Sequence, residues 1–255
     1  MNFLLKIIIT IKHYIKKLKR KSVILQEYNN SIIQYNEGII YQGNPEIGLA
    51  NIEIKLERVK QGGVFEHPNM IATNNAIAKY FIKDGMSVIN IGSGTATLEY
   101  YNHKKYPKCK FLACEMDKKT TAWVKDNRQM PNVVCSDEDM TSILKKYPNK
   151  FDIAITVDAI EHIKDYKAFL DEFSQLSDKA VISTPNRDRY TNKEDLMKPP
   201  YKYHTHEFNA GELYFILKMY YKTVKLYSPP EDEKPLLKEV GIYSNYYKLI
   251  AYCEK

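Results

Sequence analysis

The stretch that most constrains this chain is Val88-Ile89-Asn90-Ile91-Gly92-Ser93-Gly94-Thr95-Ala96. A β-branched apolar run reads as a buried strand, and glycines directly after it permit a tight turn and close approach of a ligand to the backbone. A Gly-x-Gly alone is common among nucleotide-binding chains, so the following runs have to narrow it. Phe111-Leu112-Ala113-Cys114-Glu115 ends in an acid about twenty residues on, where a strand-tip carboxylate can accept both hydroxyls of a ribose. Met116 follows it and can lie against an adenine face. A third run ends in Cys135-Ser136-Asp137-Glu138-Asp139, where Asp137, with Glu138 beside it, can accept from an adenine amino group. Thr97 stands where the dinucleotide fingerprint wants a third glycine, and the motif opens only at residue 88. Both facts count against a nicotinamide-dependent dehydrogenase.

Around this motif, strand and helix signals alternate. Apolar runs fall at Ser87–Ile91, Phe111–Glu115, Asn132–Cys135, Phe151–Val157 and Ala180–Thr184. Helical stretches lie near 70–83, 95–105, 117–129, 138–147 and 160–177, with Asp117 placed as an N-cap. This alternation predicts an α/β fold, a doubly wound and mostly parallel sheet with helices on both faces. Toward the C-terminus, Asn209-Ala210-Gly211-Glu212 reads as a capping box opening a helix to about Met219. Two strand-like runs, Thr223–Tyr227 and Tyr246–Cys253, follow without a helix between them, which predicts an antiparallel hairpin.

The net charge of +7 suggests nucleic acid until it is located. Lys6, Lys12, Lys16, Lys17, Lys19, Arg20 and Lys21 carry all of it within the first 22 residues, which hold no acid. The rest of the chain is formally neutral and lacks the basic face that phosphate neutralisation requires, which argues against a nucleic-acid partner. On a helix, Leu4, Ile7, Ile8, Ile11, Ile15 and Leu18 form one stripe opposite those cations. The stripe is too short and too interrupted by lysine to span a bilayer, and the charges follow the apolar run rather than precede it as in a signal peptide. Residues 1–22 therefore read as a basic amphipathic leader suited to an anionic membrane surface. Cys109, Cys114, Cys135 and Cys253 form no C-x-x-C pair, which predicts free thiols, a reducing compartment and no structural zinc.

With these motifs in place, residues 67–255 resemble class I S-adenosylmethionine-dependent methyltransferases. Asn90-Ile91-Gly92-Ser93-Gly94 is similar to the family's first motif, Glu115 to its ribose-binding acid and Asp137 to its adenine-side acid. Phe151 to His162 resembles the fourth-strand motif, and Val181-Ile182-Ser183-Thr184-Pro185-Asn186-Arg187 the fifth. His204-Thr205-His206-Glu207-Phe208 with Glu212-Leu213 resembles a segment of a subgroup that includes ubiquinone-pathway O-methyltransferases and surface-glycan methyltransferases. The resemblance implies a seven-stranded sheet, S-adenosylmethionine as cofactor, and cofactor contacts from Asn90, Gly92, Ser93, Gly94, Glu115, Met116, Asp137, Glu138 and Asp158. One departure stands out: the first motif usually carries an acid where this chain has Asn90.

An oxygen or nitrogen nucleophile must lose a proton during methyl transfer, and histidine suits that role. The candidate bases are His204 and His206, in the loop before the last helix, and His162 after the fourth strand. Asp158-x-x-Glu161-His162, with His204, also resembles the ligand set of metal-assisted methyltransferases, implying magnesium, manganese or zinc. The expected organisation is the leader at 1–22, a cap or extension at 23–68 and the cofactor-binding domain at 69–255, with residues 57–80, including Glu57-Arg58 and Glu66-His67-Pro68, folding over the cofactor and helping to select the acceptor. The expected activity is O-methylation of a glycan or lipid-linked acceptor at the cytoplasmic membrane face. A soluble small-molecule methyltransferase and a non-catalytic module of the same fold are the alternatives.

Overall fold

A computed structural model describes residues 51–147, 151–190, 204–229 and 236–255. The leader at 1–22 and most of the 23–68 segment lie outside the described residues. The first elements are α1 (Asn51–Lys60), α2 (Pro68–Phe81), β1 (Ser87–Ile91), α3 (Thr97–Asn102), β2 (Lys110–Cys114), α4 (Lys118–Asn127) and β3 (Val133–Ser136). After them come α5 (Met140–Lys146), β4 (Ile153–Val157), a 3-10 turn (Ile160–His162), α6 (Tyr166–Leu176), β5 (Lys179–Pro185) and α7 (Arg187–Tyr190). The chain closes with α8 (Ala210–Leu217), β6 (Thr223–Ser228), β7 (Lys238–Val240) and β8 (Lys248–Glu254).

The strands form one sheet in the order β3-β2-β1-β4-β5-β8-β6-β7. The first five are parallel to their neighbours, and β8 is inserted antiparallel between β5 and β6. Alternate side chains of each strand enter opposite faces. Ile89, Leu112, Ala154 and Ile182 join a core with Phe173 and Leu213. Val88, Phe111, Ile153 and Val181 join a second core with Ile77 and Leu98. Burial on both faces is why these strands read as continuous apolar runs.

The expected α/β class and C-terminal antiparallel hairpin are present, but the described sheet has eight strands instead of seven. The extra one, β7, is a three-residue edge strand with no buried position, so no apolar run marks it. The long helix expected at 160–177 is broken. Ile163 is extended after the 3-10 turn, and the Asp165 side chain accepts from Ala168 N to start α6 afresh. Asp117 caps α4, and Asn209 with Glu212 forms a reciprocal capping box on α8. All four cysteines are free thiols. Among the described residues no helix is long and apolar enough to cross a membrane.

Candidate functional site

Strands leave β1 toward one side of the sheet and return at β4 on the other, so the carboxyl ends of β1 and β4 flank a crevice where doubly wound folds bind ligands. At the β1 side, Gly92 N and Ser93 N both donate to Cys114 O at 2.9 Å, folding the loop back over β2. Gly92 has φ +70, and a Cβ there would lie 2.7 Å from Cβ of Ala159. Only glycine meets both conditions without strain. Gly94 N donates to Glu115 Oε2 at 2.9 Å and Asp117 N to Oε1 at 3.0 Å, so the acid at the tip of β2 is oriented by backbone. Burial raises the Glu115 pKa against the pull of these N–H groups.

Two cavities open on the crevice. The larger, of 580 Å³, is lined by Gly92, Glu115, Met116, Glu138, Asp139, Met140, Asp158 and His162, among others. The smaller, of 100 Å³, lies behind the glycine loop between Lys55, Asn74, Asn90, Ser93, Gly94 and Thr95. They share Gly92 and Asp158. A more open depression of 1130 Å³ near β3 holds none of the glycine-loop residues. The exposed Asp137 does not line the 580 Å³ cavity; its neighbours Glu138 and Asp139 do, and Asp139 also caps α5.

Behind the loop, Asn90 Nδ2 donates to Glu99 Oε1 at 3.0 Å. Burial lifts the Glu99 pKa to about 7, against the hydrogen bond from Asn90. An acid therefore does stand at this motif, but on α3 instead of β1. Asn90 Oδ1 is buried and accepts no hydrogen bond among the described residues.

The segment ahead of α2 packs directly on this loop. Glu66 Oε1 accepts from Thr95 Oγ1 (2.9 Å), Thr97 Oγ1 (2.6 Å) and Arg128 (2.6 Å), while Lys55 Nζ lies 3.8 Å away and donates to Thr95 Oγ1 at 2.6 Å. Burial alone would raise the Glu66 pKa, yet the Thr97 bond and the Arg128 and Lys55 charges win and lower it. Burial drives Lys55 down to about 8. Phe65 stacks on Trp123 at 4.9 Å, and Arg128 lies over Tyr100 at 4.3 Å.

On the β4 side, Asp158 has φ 52, an uncommon conformation for a non-glycine residue. Its Oδ1 accepts from Ser183 Oγ and its Oδ2 from Lys248 Nζ on β8. Glu161 is fully buried. Burial, then the Asp158 charge, push its pKa well above the carboxylate range against the opposing pull of the nearby Thr184 hydroxyl, which does not reach good hydrogen-bond geometry with either carboxylate oxygen. Its carbonyl accepts from Thr205 N and His206 N, docking the 204–208 segment onto the 3-10 turn. This brings His204 to His162, ring centroids 4.8 Å apart, and the ligand atoms of Glu161, His162 and His204 lie within 4.8 Å of one another.

The expected histidines thus separate. His162 lines the larger cavity. His204 stands against it and donates from Nδ1 to Glu207. His206 turns away, donating from Nε2 to Lys164 O and packing edge-on to Tyr166, and burial lowers its pKa. Asp158 is not part of the Glu161–His162–His204 cluster, being held by Lys248 and Ser183. Lys55, Glu99, Arg128 and Lys248 escape the sequence reading, and Glu66 enters it only as part of the 57–80 segment expected over the cofactor. Each lies in a different element or segment, and only Glu66, beside His67-Pro68 at the start of α2, carries a local cue.

The sheet order, glycine loop, strand-tip acid and C-terminal antiparallel strands define the class I methyltransferase fold. A SAM-dependent methyltransferase from Archaeoglobus fulgidus superposes with TM-score 0.55 at 16% identity, over 78% of this chain and 98% of that one. The plantazolicin methyltransferase BpumL, in complex with SAH, gives 0.55 at 14% identity, over 73% of this chain and 84% of its own. A curated relative, (S)-coclaurine N-methyltransferase of Papaver somniferum, is 27% identical over 97 residues. That match spans 37% of this chain and only 27% of the relative. Within the fold class, residues 73–204 match the family model of methionine biosynthesis protein MetW, and the chain belongs to that family.

Proposed function

We propose that the chain binds S-adenosylmethionine across the β1/β4 crevice and transfers its methyl group to an acceptor entering beside His162. The observation that carries this is the pair of cavities meeting at Gly92 and Asp158. The residues fit the cofactor. Asn90 Oδ1 is an orphaned buried acceptor on the smaller cavity, suited to an amino group. Each Glu115 oxygen holds one backbone N–H and keeps acceptor capacity for a ribose hydroxyl. Met116, 63% exposed on the larger cavity, offers an apolar face to an adenine, with Glu138 beside it.

When bound, the cofactor supplies an electrophilic methyl on a cationic sulfur, and alignment with the nucleophile provides much of the acceleration. Asp158, held by Lys248 and Ser183, stands where the two cavities join and presents negative charge there. His162 would take the proton from the acceptor, with His204 packed against it to fix the ring. The test is calorimetric titration of the full chain with S-adenosylmethionine, S-adenosylhomocysteine and NADH. Micromolar binding of the first two alone supports the reading. Binding of NADH alone would make the protein a dehydrogenase, and binding of none would favour a non-catalytic module.

For the acceptor, the H-x-x-E-F and E-L residues and the leader support O-methylation of a glycan or lipid-linked hydroxyl at the cytoplasmic membrane face. The domain assignment follows: leader 1–22, cap 23–68, cofactor-binding domain 69–255. Co-sedimentation with anionic but not neutral liposomes, lost on Lys16→Glu, Lys17→Glu and Lys19→Glu together, is the expected result. Equal sedimentation with both lipid types would remove the membrane part.

A second reading has its own observation. The buried Glu161 carboxylate, with no hydrogen bond of good geometry among the described residues, faces two histidines within 4.8 Å, a donor set that suits a divalent ion. A metal there would occupy His162 and replace its role as base. Binding of manganese or zinc to the chelator-treated chain, abolished by Glu161→Gln, would favour this reading.

A further inference from the structure

The glycine loop is covered by the segment ahead of α2, and that segment brings a buried lysine to the small cavity. Lys55 is 6% exposed. Its Nζ lies 2.6 Å from Thr95 Oγ1 on the wall of the 100 Å³ cavity that Asn90 also lines. Such a volume is well below that of a whole-ligand site, about 300–1,000 Å³, and suits the head of an amino acid. An α-amino acid head carries a cation and an anion on one carbon, so its receptor needs an acceptor and a cationic donor side by side. Asn90 Oδ1 is the unpaired acceptor. Of the three Lys55 N–H donors, Thr95 takes one and Glu66 lies within reach of another at 3.8 Å.

Charge points the same way. The charged groups acting most strongly on Lys55 include Glu66, Arg128 and Glu115, together with Arg58, which is exposed and solvated. Glu66 is already committed to Arg128, and Glu115 to the backbone of Gly94 and Asp117. The Glu66 carboxylate stands 3.8 Å from Lys55 Nζ, beyond hydrogen-bonding distance, so the buried ammonium is hydrogen-bonded to a neutral hydroxyl. Buried charge of this kind is costly unless it is paired.

We propose that Lys55 receives the carboxylate of the bound methyl donor, so that α1 closes on the cofactor through its charge. This rests on the S-adenosylmethionine reading above. It makes the segment ahead of α2 part of the cofactor site, with Glu66 and Arg128 holding it in place.

The experiment compares S-adenosylmethionine with its decarboxylated form, which differs only in the carboxylate, by calorimetry on the full chain. Wild type should prefer the carboxylated donor by about tenfold or more. Lys55→Met should weaken S-adenosylmethionine by a similar factor and leave the decarboxylated form within about twofold, collapsing the preference; Lys55→Arg should retain it. Equal weakening of both ligands, or of neither, would overturn the proposal. A second readout needs no variant: amide protection in residues 51–60 should rise with S-adenosylmethionine and not with the decarboxylated form. Equal protection by both overturns it even if Lys55→Met fails to fold. A wild type that binds neither ligand removes the underlying cofactor reading along with the proposal, and is recognised without any variant.

Discussion

Replacing Glu66 by glutamine removes one negative charge and almost no volume. In the native chain its carboxylate is 2% exposed, bonded to Arg128 at 2.6 Å and 3.8 Å from Lys55, whose side chains are 5% and 8% exposed. The substitution strands two buried cations. Breaking a buried pair from one side costs about 3–5 kcal/mol. The amide oxygen can still accept from Thr97, so the low end applies, about 3 kcal/mol. That cost falls on the segment Glu66 ties down, because α1 otherwise rests on α4 through Ile52 N to Thr120 and an exposed Lys119–Glu53 pair. Native-state hydrogen exchange should show protection in α1 falling roughly a hundredfold, since about 1.4 kcal/mol is a factor of ten. Adding Lys55→Met should restore part of it, because one uncompensated cation disappears, giving a non-additive cycle. Wild-type α1 should also loosen in acid. A carboxylate whose folded pKa lies below its unfolded value stabilises fully above the latter and loses that contribution as pH falls through the former. Protection within threefold of wild type in Glu66→Gln, with additive effects, would refute the idea that this network holds the segment.

Gly92→Ala should cost about 2 kcal/mol or more from its left-handed backbone and its contact with Ala159. In urea unfolding, Ala159→Gly should recover only the steric share. Glu115→Ala should reduce affinity for S-adenosylhomocysteine by about tenfold or more, measured by calorimetry; an unchanged affinity would remove Glu115 from the site. Glu99 has its folded pKa raised from 4.5 to about 7. The unfolded chain therefore releases that proton first, and stability falls as pH rises from 4.5 through 7. Glu99→Gln should abolish this slope and be more stable than wild type at pH 8, by roughly 3 kcal/mol, and little changed at pH 4.

What could be read in advance depended on how local each signal is. The strands β1, β2, β4 and β5 stand out because burial on both faces demands mostly apolar residues. The glycine loop and Glu115 are legible because a strand tip and the turn after it are adjacent in sequence. The α8 cap is legible because Asn209 and Glu212 satisfy each other within one turn. Reading fails where the pairing partner is distant. Asp158 seems a ligand of the histidine cluster until Lys248, ninety residues on, claims it. The break before Tyr166–Leu176 is a different case, a local cap from Asp165 to Ala168 N masked by the apolar pattern that runs across it.

The amino-acid sequence by itself determined every strand of the sheet but β7, the direction of those strands and the place of the crevice, since period, turn residues and caps act over a few positions. Tertiary structure alone decided which histidine faces the cavity. His162, His204 and His206 are the same residue type in similar surroundings, and the Glu161 carbonyl that docks the 204–208 segment sorts them. It also decided that Lys55, Glu66 and Arg128 share one buried site behind the glycine loop. Charges from three separate segments meet there only after the chain has packed, because pairing rather than sequence proximity makes their burial tolerable.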